Sequence, residues 1–265
     1  RLQWAPYGWA SVYLMFSKVD SPRTGWGTPR YRHAELGNWP VGDMSLSGWG
    51  GVRGESRDHG ILADLRLGYG LSWTPGLESS AVQYADEIGV SGSYEFRAIR
   101  GKLGGVGYAP IPFVGAELLS EFDRPADLRS WHRLQPTGLV GVRFRPIDAL
   151  AVQAAFHVRR ELLDPKGRTL AGLNLGYSLE RGQLFEILGN AVEIESATDW
   201  FISGPGEVQE IRHWTHLYFE IVSAVFFDAS FDLYAYRTAE VGQWGTHVGF
   251  TGGLNVLVDG RFLRP

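Results

Sequence analysis

The chain has 265 residues, a formal net charge of −4, 35 glycines and no cysteine. Apolar residues make up 44% of the sequence and aromatic residues 13%, a composition that excludes a disordered protein. The absence of cysteine excludes disulfide frameworks and thiolate metal sites. No apolar run approaches the roughly 18 residues expected of a membrane-spanning helix. The weakly acidic charge argues against a nucleic-acid-binding protein.

The dominant pattern is a period of two, which is typical of β-strands. In the range 61–73, apolar residues hold the odd positions, while Asp64, Arg66, Gly68, Gly70 and Ser72 hold the even ones. A soluble sheet buries its apolar face and scatters charged residues over the other. Here the second face is rich in glycine and serine with isolated charges, as in a barrel whose apolar face meets lipid. The same alternation recurs in 87–98, 150–159, 171–180 and 248–259.

The alternating segments predict about twelve strands, an even number as in bacterial outer-membrane barrels. Tight joins alternate with longer ones along the chain. If the chain begins on the periplasmic side, all tight joins are periplasmic and all longer joins extracellular. The predicted strands are 8–18, 44–55, 59–74, 86–101, 104–121, 136–146, 149–162, 168–181, 183–195, 212–228, 229–240 and 246–259. The predicted tight joins lie near 57–58, 101–102, 145–148, 181–182 and 228–229.

The whole chain resembles bacterial outer-membrane β-barrel proteins, through segments such as LADLRLGYGLSW, AVQAAFHV and HVGFTGGLNVLV. The resemblance is to the class and to no particular family. It implies an all-β fold: a closed antiparallel transmembrane β-barrel of about 12 strands with short periplasmic turns and longer extracellular loops. It also implies a single domain over residues 1–265 in the outer membrane of a Gram-negative cell envelope. We expect a signal peptide to have been removed ahead of Arg1.

Charged residues on the inward side of the predicted strands form the candidate lumen lining. One interpretation is a network of ion pairs that fills a narrow barrel, and the other is a lined pore. We expect Arg97 and Arg143 each to meet a carboxylate across neighbouring strands, because unpaired buried charges are costly. If a path stays open, the excess of acids predicts a mild cation preference. The predicted lining comprises Asp64, Arg66, Glu87, Glu95, Arg97, Glu117, Arg143, Arg145, His157, Arg159, Glu180, Glu186, His216, Glu220 and Asp232.

No catalytic residue, metal site or cofactor is predicted. In the segment HWTH, His213 and His216 lie three apart, and on a strand such positions face opposite ways. His216 and Glu220 share a face but lie about 13 Å apart, so a carboxylate-bonded lumen histidine is favoured. A GxSxG motif is absent, and Ser203, Ser223 and His247 follow no recognisable pattern. The alternative is an outer-membrane enzyme that acts on lipid, of the phospholipase or lipid-A-modifying type.

Two predicted outer loops carry candidate contact residues. The first, 20–43, holds Trp26, Tyr31 and Trp39, and the later loop 196–211 holds Trp200 and Phe201. Exposed aromatic rings are favoured at protein contacts, although they could also pack on the rim of a barrel or fold into its mouth. We therefore predict a narrow porin-like channel, or a membrane anchor or scaffold in a surface assembly. The predicted partners are outer-membrane lipid and a protein at these loops or in that assembly, and no nucleic acid.

Overall fold

The computed structural model describes residues 2–20, 42–73, 82–99, 101–103, 106–121, 133–147, 149–163, 167–187, 189–204, 206–222, 225–240 and 242–259. These residues form fourteen strands. None of them lies in a helix long and apolar enough to cross a membrane. The strands are β1 Gln3–Asp20, β2 Gly42–Glu55, β3 His59–Trp73, β4 Val82–Phe96, β5 Gly101–Leu103, β6 Val106–Tyr108, β7 Ile111–Ser120, β8 Leu134–Ile147, β9 Leu150–Arg160, β10 Thr169–Ile187, β11 Asn190–Ser203, β12 Val208–Val222, β13 Val225–Thr238 and β14 Gly245–Asp259.

Twelve of the described strands form one antiparallel sheet, so the prediction of an all-β antiparallel fold is confirmed. Each strand pairs with its neighbours along the chain, except that β4 pairs directly with β7. The first strand pairs with β2 on one side and with β14 on the other, which closes the sheet into a barrel. Closure matters physically because an open edge would leave backbone N–H and C=O groups without partners in lipid.

The two ends of the barrel differ in the length of their joins. The end that holds Gln3, called the turn end below, has four short joins, at 56–58, 148–149, 188–189 and 223–224, and one longer join at 97–110. The first of these is closed by a bond from the Ser56 backbone nitrogen to the His59 carbonyl oxygen, at 2.9 Å. The opposite end, called the loop end, has its joins at 21–41, 74–81, 121–133, 161–168, 204–207 and 239–244.

The predicted tight turn at 101–102 is wrong. Strand β4 ends at Phe96 and β7 begins at Ile111, so the join between them covers fourteen residues, 97–110. Within it, 101–103 pair with 106–108 in a separate two-stranded sheet. Strands β5 and β6 therefore pair with each other at the turn end and do not join the barrel.

The predicted strand limits between residues 181 and 229 are also wrong. Strand β10 continues past 181–182 through a bulge between Leu179 and Gly182, and such a bulge breaks the phase of the alternation. The join after β10 instead contains Gly189, whose φ of 82° suits a tight hairpin turn that L side chains disfavour. Strand β11 then extends to Ser203, so most of the predicted loop 196–211 is strand. Residues 228–229 lie within β13.

Large apolar side chains cover the outer surface of the barrel. Leu173 is 46% exposed and Phe156 and Leu254 are each 53% exposed, on the face for which lipid contact was predicted. Val140 on β8 pairs with Phe156, and Val114 on β7 pairs with Val140, so both continue this face. So much contiguous apolar surface would be unfavourable in water, whereas a hydrocarbon surrounding removes that cost.

An arginine at Leu173 should destabilise the folded barrel. Leu173 pairs with Phe156 in the middle of β9, and a charge near the midplane of the lipid-facing surface costs about 2–4 kcal/mol. The measurement is urea-induced unfolding from lipid vesicles. The matched control is Leu162→Arg, because Leu162 is exposed in the join after β9 and lies outside the strands. Equal stability of the two variants would show that this face does not meet lipid.

Candidate functional site

Contacts between strands that are not neighbours identify the interior face of the barrel. Arg159 on β9 pairs with Glu210 on β12, although β10 and β11 lie between them. Arg143 on β8 pairs with Glu95 on β4, across β7. Such contacts pass through the space that the sheet encloses. Alternation along each strand and the register between paired strands place the other predicted lining residues on the same interior face. They are Asp64, Arg66, Glu87, Glu117, Arg145, His157, Glu180, His216, Glu220 and Asp232.

One buried carboxylate organises the interior at the turn end. Glu95 accepts bonds from Arg97, whose Nη2 lies 2.7 Å from Oε2, and from Arg143. Nη2 of Arg145 lies 3.9 Å from the Oε1 atom of Glu95. The predicted carboxylate partners of Arg97 and Arg143 are therefore present. Three guanidinium groups around one buried carboxylate compensate the cost of removing its charge from water.

Two outer carboxylates extend this group into what we name the turn-end cluster. Glu55 lies 3.3 Å from Arg97, and Glu180 lies 3.3 Å from Arg145. Both carboxylates are exposed, unlike Glu95. The predicted lining residue Glu186 lies apart from the cluster, where it is exposed near the end of β10 and accepts a bond from Gln183 at 3.1 Å. The turn-end cluster comprises Arg53, Glu55, Glu95, Arg97, Arg143, Arg145 and Glu180.

A second charged group lies toward the loop end. Glu210 is only 2% exposed. Its Oε2 atom accepts a hydrogen bond from Arg159, and its Oε1 atom accepts one from the Nε of Arg212 at 2.6 Å. The Arg159 guanidinium lies over the ring of Phe201, 4.8 Å from its centroid. The ring of His157 meets the same phenyl group edge-on at 4.8 Å. Arg159, Glu210 and Arg212, with Phe201 and His157, form what we name the loop-end bridge.

The prediction that Trp200 and Phe201 lie in an outer loop is therefore wrong. Both residues lie on β11. Phe201 is buried inside the barrel against Arg159, and Trp200 is exposed on the outer face. They were assigned to a loop because the strand limits were misplaced by the bulge in β10. The other three contact candidates, Trp26, Tyr31 and Trp39, lie outside the described residues.

The two histidines of HWTH lie on opposite faces, as predicted from their spacing. His216 faces inward, and its Nδ1 lies 2.8 Å from Oδ2 of the fully buried Asp228. Asn255 donates to the same oxygen at 2.9 Å. The predicted carboxylate partner of this lumen histidine is therefore confirmed, and the partner is Asp228 from the neighbouring strand.

His213 belongs to a small polar group on the outer face. Its Nδ1 lies 2.7 Å from the Thr198 hydroxyl and its Nε2 lies 3.1 Å from the Thr215 hydroxyl. The Ser196 hydroxyl lies 2.9 Å from that of Thr215 and donates to the Trp214 carbonyl at 3.0 Å. These mutual hydrogen bonds satisfy the polar groups, which lowers the cost of holding them on an apolar surface.

The serine that the enzyme interpretation considered near the loop end has a structural contact. The Ser203 hydroxyl accepts a hydrogen bond from the backbone nitrogen of Val208 at 2.8 Å. This bond spans the join that contains Gly206 and so supports the turn between β11 and β12. The other serine considered, Ser223, lies outside the described residues.

Sequence reasoning missed two buried acids of the interior, Glu210 and Asp228. The first fell in a predicted loop and the second in a predicted turn. An available signal was the alternation itself, because Val208, Glu210 and Arg212 continue the inward phase of β12. In the same way, Asp228 lies in phase with Asp232 on β13.

The face pattern defines the class of the molecule. A closed antiparallel sheet that exposes apolar side chains outward and encloses charged ones is the arrangement of a transmembrane β-barrel. The chain is thus similar to bacterial outer-membrane β-barrel proteins, and the outer membrane is where such a protein resides.

Several solved structures are similar to this protein over nearly the whole chain. An outer membrane channel from Pseudomonas putida F1 is 9% identical, with 95% of each chain covered and a TM-score of 0.45. The translocator domain of the autotransporter NalP from Neisseria meningitidis is 11% identical, with 95% of this chain and 88% of that chain covered and a TM-score of 0.37. The beta domain of the Bordetella autotransporter BrkA is 14% identical, with 95% and 99% covered and a TM-score of 0.39. No family model and no curated protein matches the chain.

Proposed function

We propose that residues 1–265 form a single closed, twelve-stranded transmembrane domain that acts as a narrow channel for small polar solutes. The proposal depends on one observation: two charged side chains on the interior face keep nearly half of their surface accessible. Arg66 retains 44% of its side-chain exposure and Arg212 retains 47%. Because both point into the enclosed space, solvent-sized room adjoins the ion pairs in the interior.

The proposed orientation places the turn end toward the periplasm and the loop end toward the exterior. Short periplasmic turns and longer outer loops are usual in this class. With this orientation, the loop-end bridge narrows the outer half of the path, because Arg159 and Glu210 connect strands three positions apart. A solute entering from outside would pass the bridge first and the turn-end cluster afterwards.

A non-conducting anchor or scaffold in a surface assembly is the second candidate function. Glu95, Glu210 and Asp228 are all buried, which favours a well-packed interior over a wide pore. In that case the barrel would hold a partner at its loops. The enzyme alternative receives less support, because Ser203 has a structural role in its own join.

Conductance in planar lipid bilayers tests the channel. The wild-type protein should give discrete current steps. Arg159→Ala should raise the step size by a factor of about two, because removal of the guanidinium widens the narrow region. The control is Arg168→Ala, since Arg168 is exposed in the join between β9 and β10. A silent wild-type protein that retains a partner in mild detergent would support the anchor and contradict the channel.

A further inference from the structure

The turn-end cluster surrounds a cavity of about 150 Å³ inside the barrel. Its charged lining includes four arginines and three glutamates, so positive groups exceed negative ones by one when all are ionised. The hydroxyl-bearing residues Ser93 and Ser178 also contribute to the wall. The cavity is therefore a polar space with a positive excess, in an interior whose predicted lining as a whole is acidic.

The donors around this cavity exceed the acceptors. Each guanidinium offers five N–H donors, whereas carboxylates supply only two oxygens apiece. The Nε atoms of Arg143 and Arg145 are buried without a hydrogen-bond acceptor. Arg53 forms no ion pair within the described part of the chain, and its guanidinium lies 5.8 Å from the centroid of the Tyr7 ring. The two Nε atoms are closed off from solvent, so the donors open to an additional acceptor are the N–H groups of the exposed Arg53, which also lines the cavity.

The carboxylates of the turn-end cluster differ in how strongly they bind their arginines. Glu95 is buried and shared among Arg97, Arg143 and Arg145. Glu55 and Glu180 are exposed, and exposed ion pairs contribute little stability. A competing anion could therefore displace the carboxylate of Glu55 or Glu180 from its arginine at small cost, while Glu95 keeps the cluster assembled.

We propose that the turn-end cavity binds an oxyanion, the carboxylate or phosphate group of a small solute. Arginine forks match both groups through paired, charge-assisted hydrogen bonds. At about 30 Å³ per water molecule, the cavity equals roughly five waters, which fits a single oxyanion group and a few attached atoms. The site deepens the proposed channel by naming the chemistry of a solute, but binding itself does not require conduction.

Calorimetric titration of the detergent-solubilised full chain at low salt tests this site. Inorganic phosphate and citrate are the probes, and choline chloride is the cationic control. We expect saturable binding of at least one anion, which weakens as salt is added. Binding of citrate alone would assign carboxylates, and binding of phosphate alone would assign phosphates. Absence of saturable binding by either anion would overturn the proposal.

Two substitutions of opposite expected sign sharpen the test. Arg53→Gln should weaken anion binding by about tenfold, the effect of losing one charge-assisted contact. Glu55→Gln should tighten binding several-fold, because it releases Arg97 from an exposed competitor. Both positions are exposed, so both variants should fold, and far-UV circular dichroism verifies this.

The matched control is Arg168→Gln, which removes the same charge at the loop end and should leave binding unchanged. Arg53→Gln with wild-type affinity, or weaker binding by Glu55→Gln, would overturn the site. Binding without conductance would contradict only the channel, and conductance without binding would contradict only this site.

Discussion

Replacement of Glu210 by glutamine should destabilise the barrel by about 3–5 kcal/mol, the usual cost of removing one partner from a buried ion pair. The Glu210 carboxylate is the acceptor for both Arg159 and Arg212. Arg159 is itself largely buried, with only 11% of its side chain exposed. Without the carboxylate, the positive charge of Arg159 would remain largely buried but would lose the negative group that compensates it.

Urea-induced unfolding from lipid vesicles measures this effect. Glu207→Gln is the matched control, because Glu207 is exposed three residues earlier along the chain. The double variant Arg159→Gln/Glu210→Gln should recover part of the lost stability, since it removes the stranded charge together with its partner. A single variant as stable as the control would show that the loop-end bridge contributes no net stability.

Replacement of Glu95 by glutamine should cost a similar 3–5 kcal/mol and should also shift ion selectivity toward anions. Glu95 is buried, and three arginines converge on its two oxygens. Without the Glu95 charge, the three neighbouring guanidinium groups would repel one another, and only the exposed Glu55 and Glu180 would offset their positive charge. The resulting positive potential at the turn end would attract anions and repel cations.

Unfolding from vesicles and the reversal potential across a salt gradient measure the two parts separately. Glu186→Gln is the control, because Glu186 is exposed at the same end and contacts Gln183 instead of an arginine. Loss of stability with unchanged selectivity would place the conducting path away from the turn-end cluster. Unchanged stability would contradict the role of Glu95 as the organising carboxylate.

The class of the fold was accessible from sequence because the facing of side chains on a strand is a local property. Successive side chains point to opposite sides, so Phe156, Leu173 and Leu254 could be assigned to the outer face without knowledge of any strand partner. The same reasoning placed His213 and His216 on opposite faces.

The limits of the strands were harder to predict where a bulge interrupts the alternation of apolar and polar residues. The bulge after Leu179 shifts the phase of β10 and hid the true turn at Gly189. The misplaced turn ended the next predicted strand at residue 195, so residues 196–203 of β11 and 208–211 of β12 fell in the predicted loop 196–211. Phe201 was therefore assigned to the exterior although it packs inside the barrel.

Alternation along single strands was enough to assign the two faces and the charged character of the interior, and hydropathy was enough to exclude a helical span. Which charges meet depends instead on how the strands pair. Arg159 and Glu210 lie 51 residues apart along the chain and on strands separated by two others. Their contact depends on strand register and on closure of the sheet, which are set by hydrogen bonds along many strand pairs at once. No local periodicity encodes that register, so both the loop-end bridge and the turn-end cavity emerge only when the barrel closes.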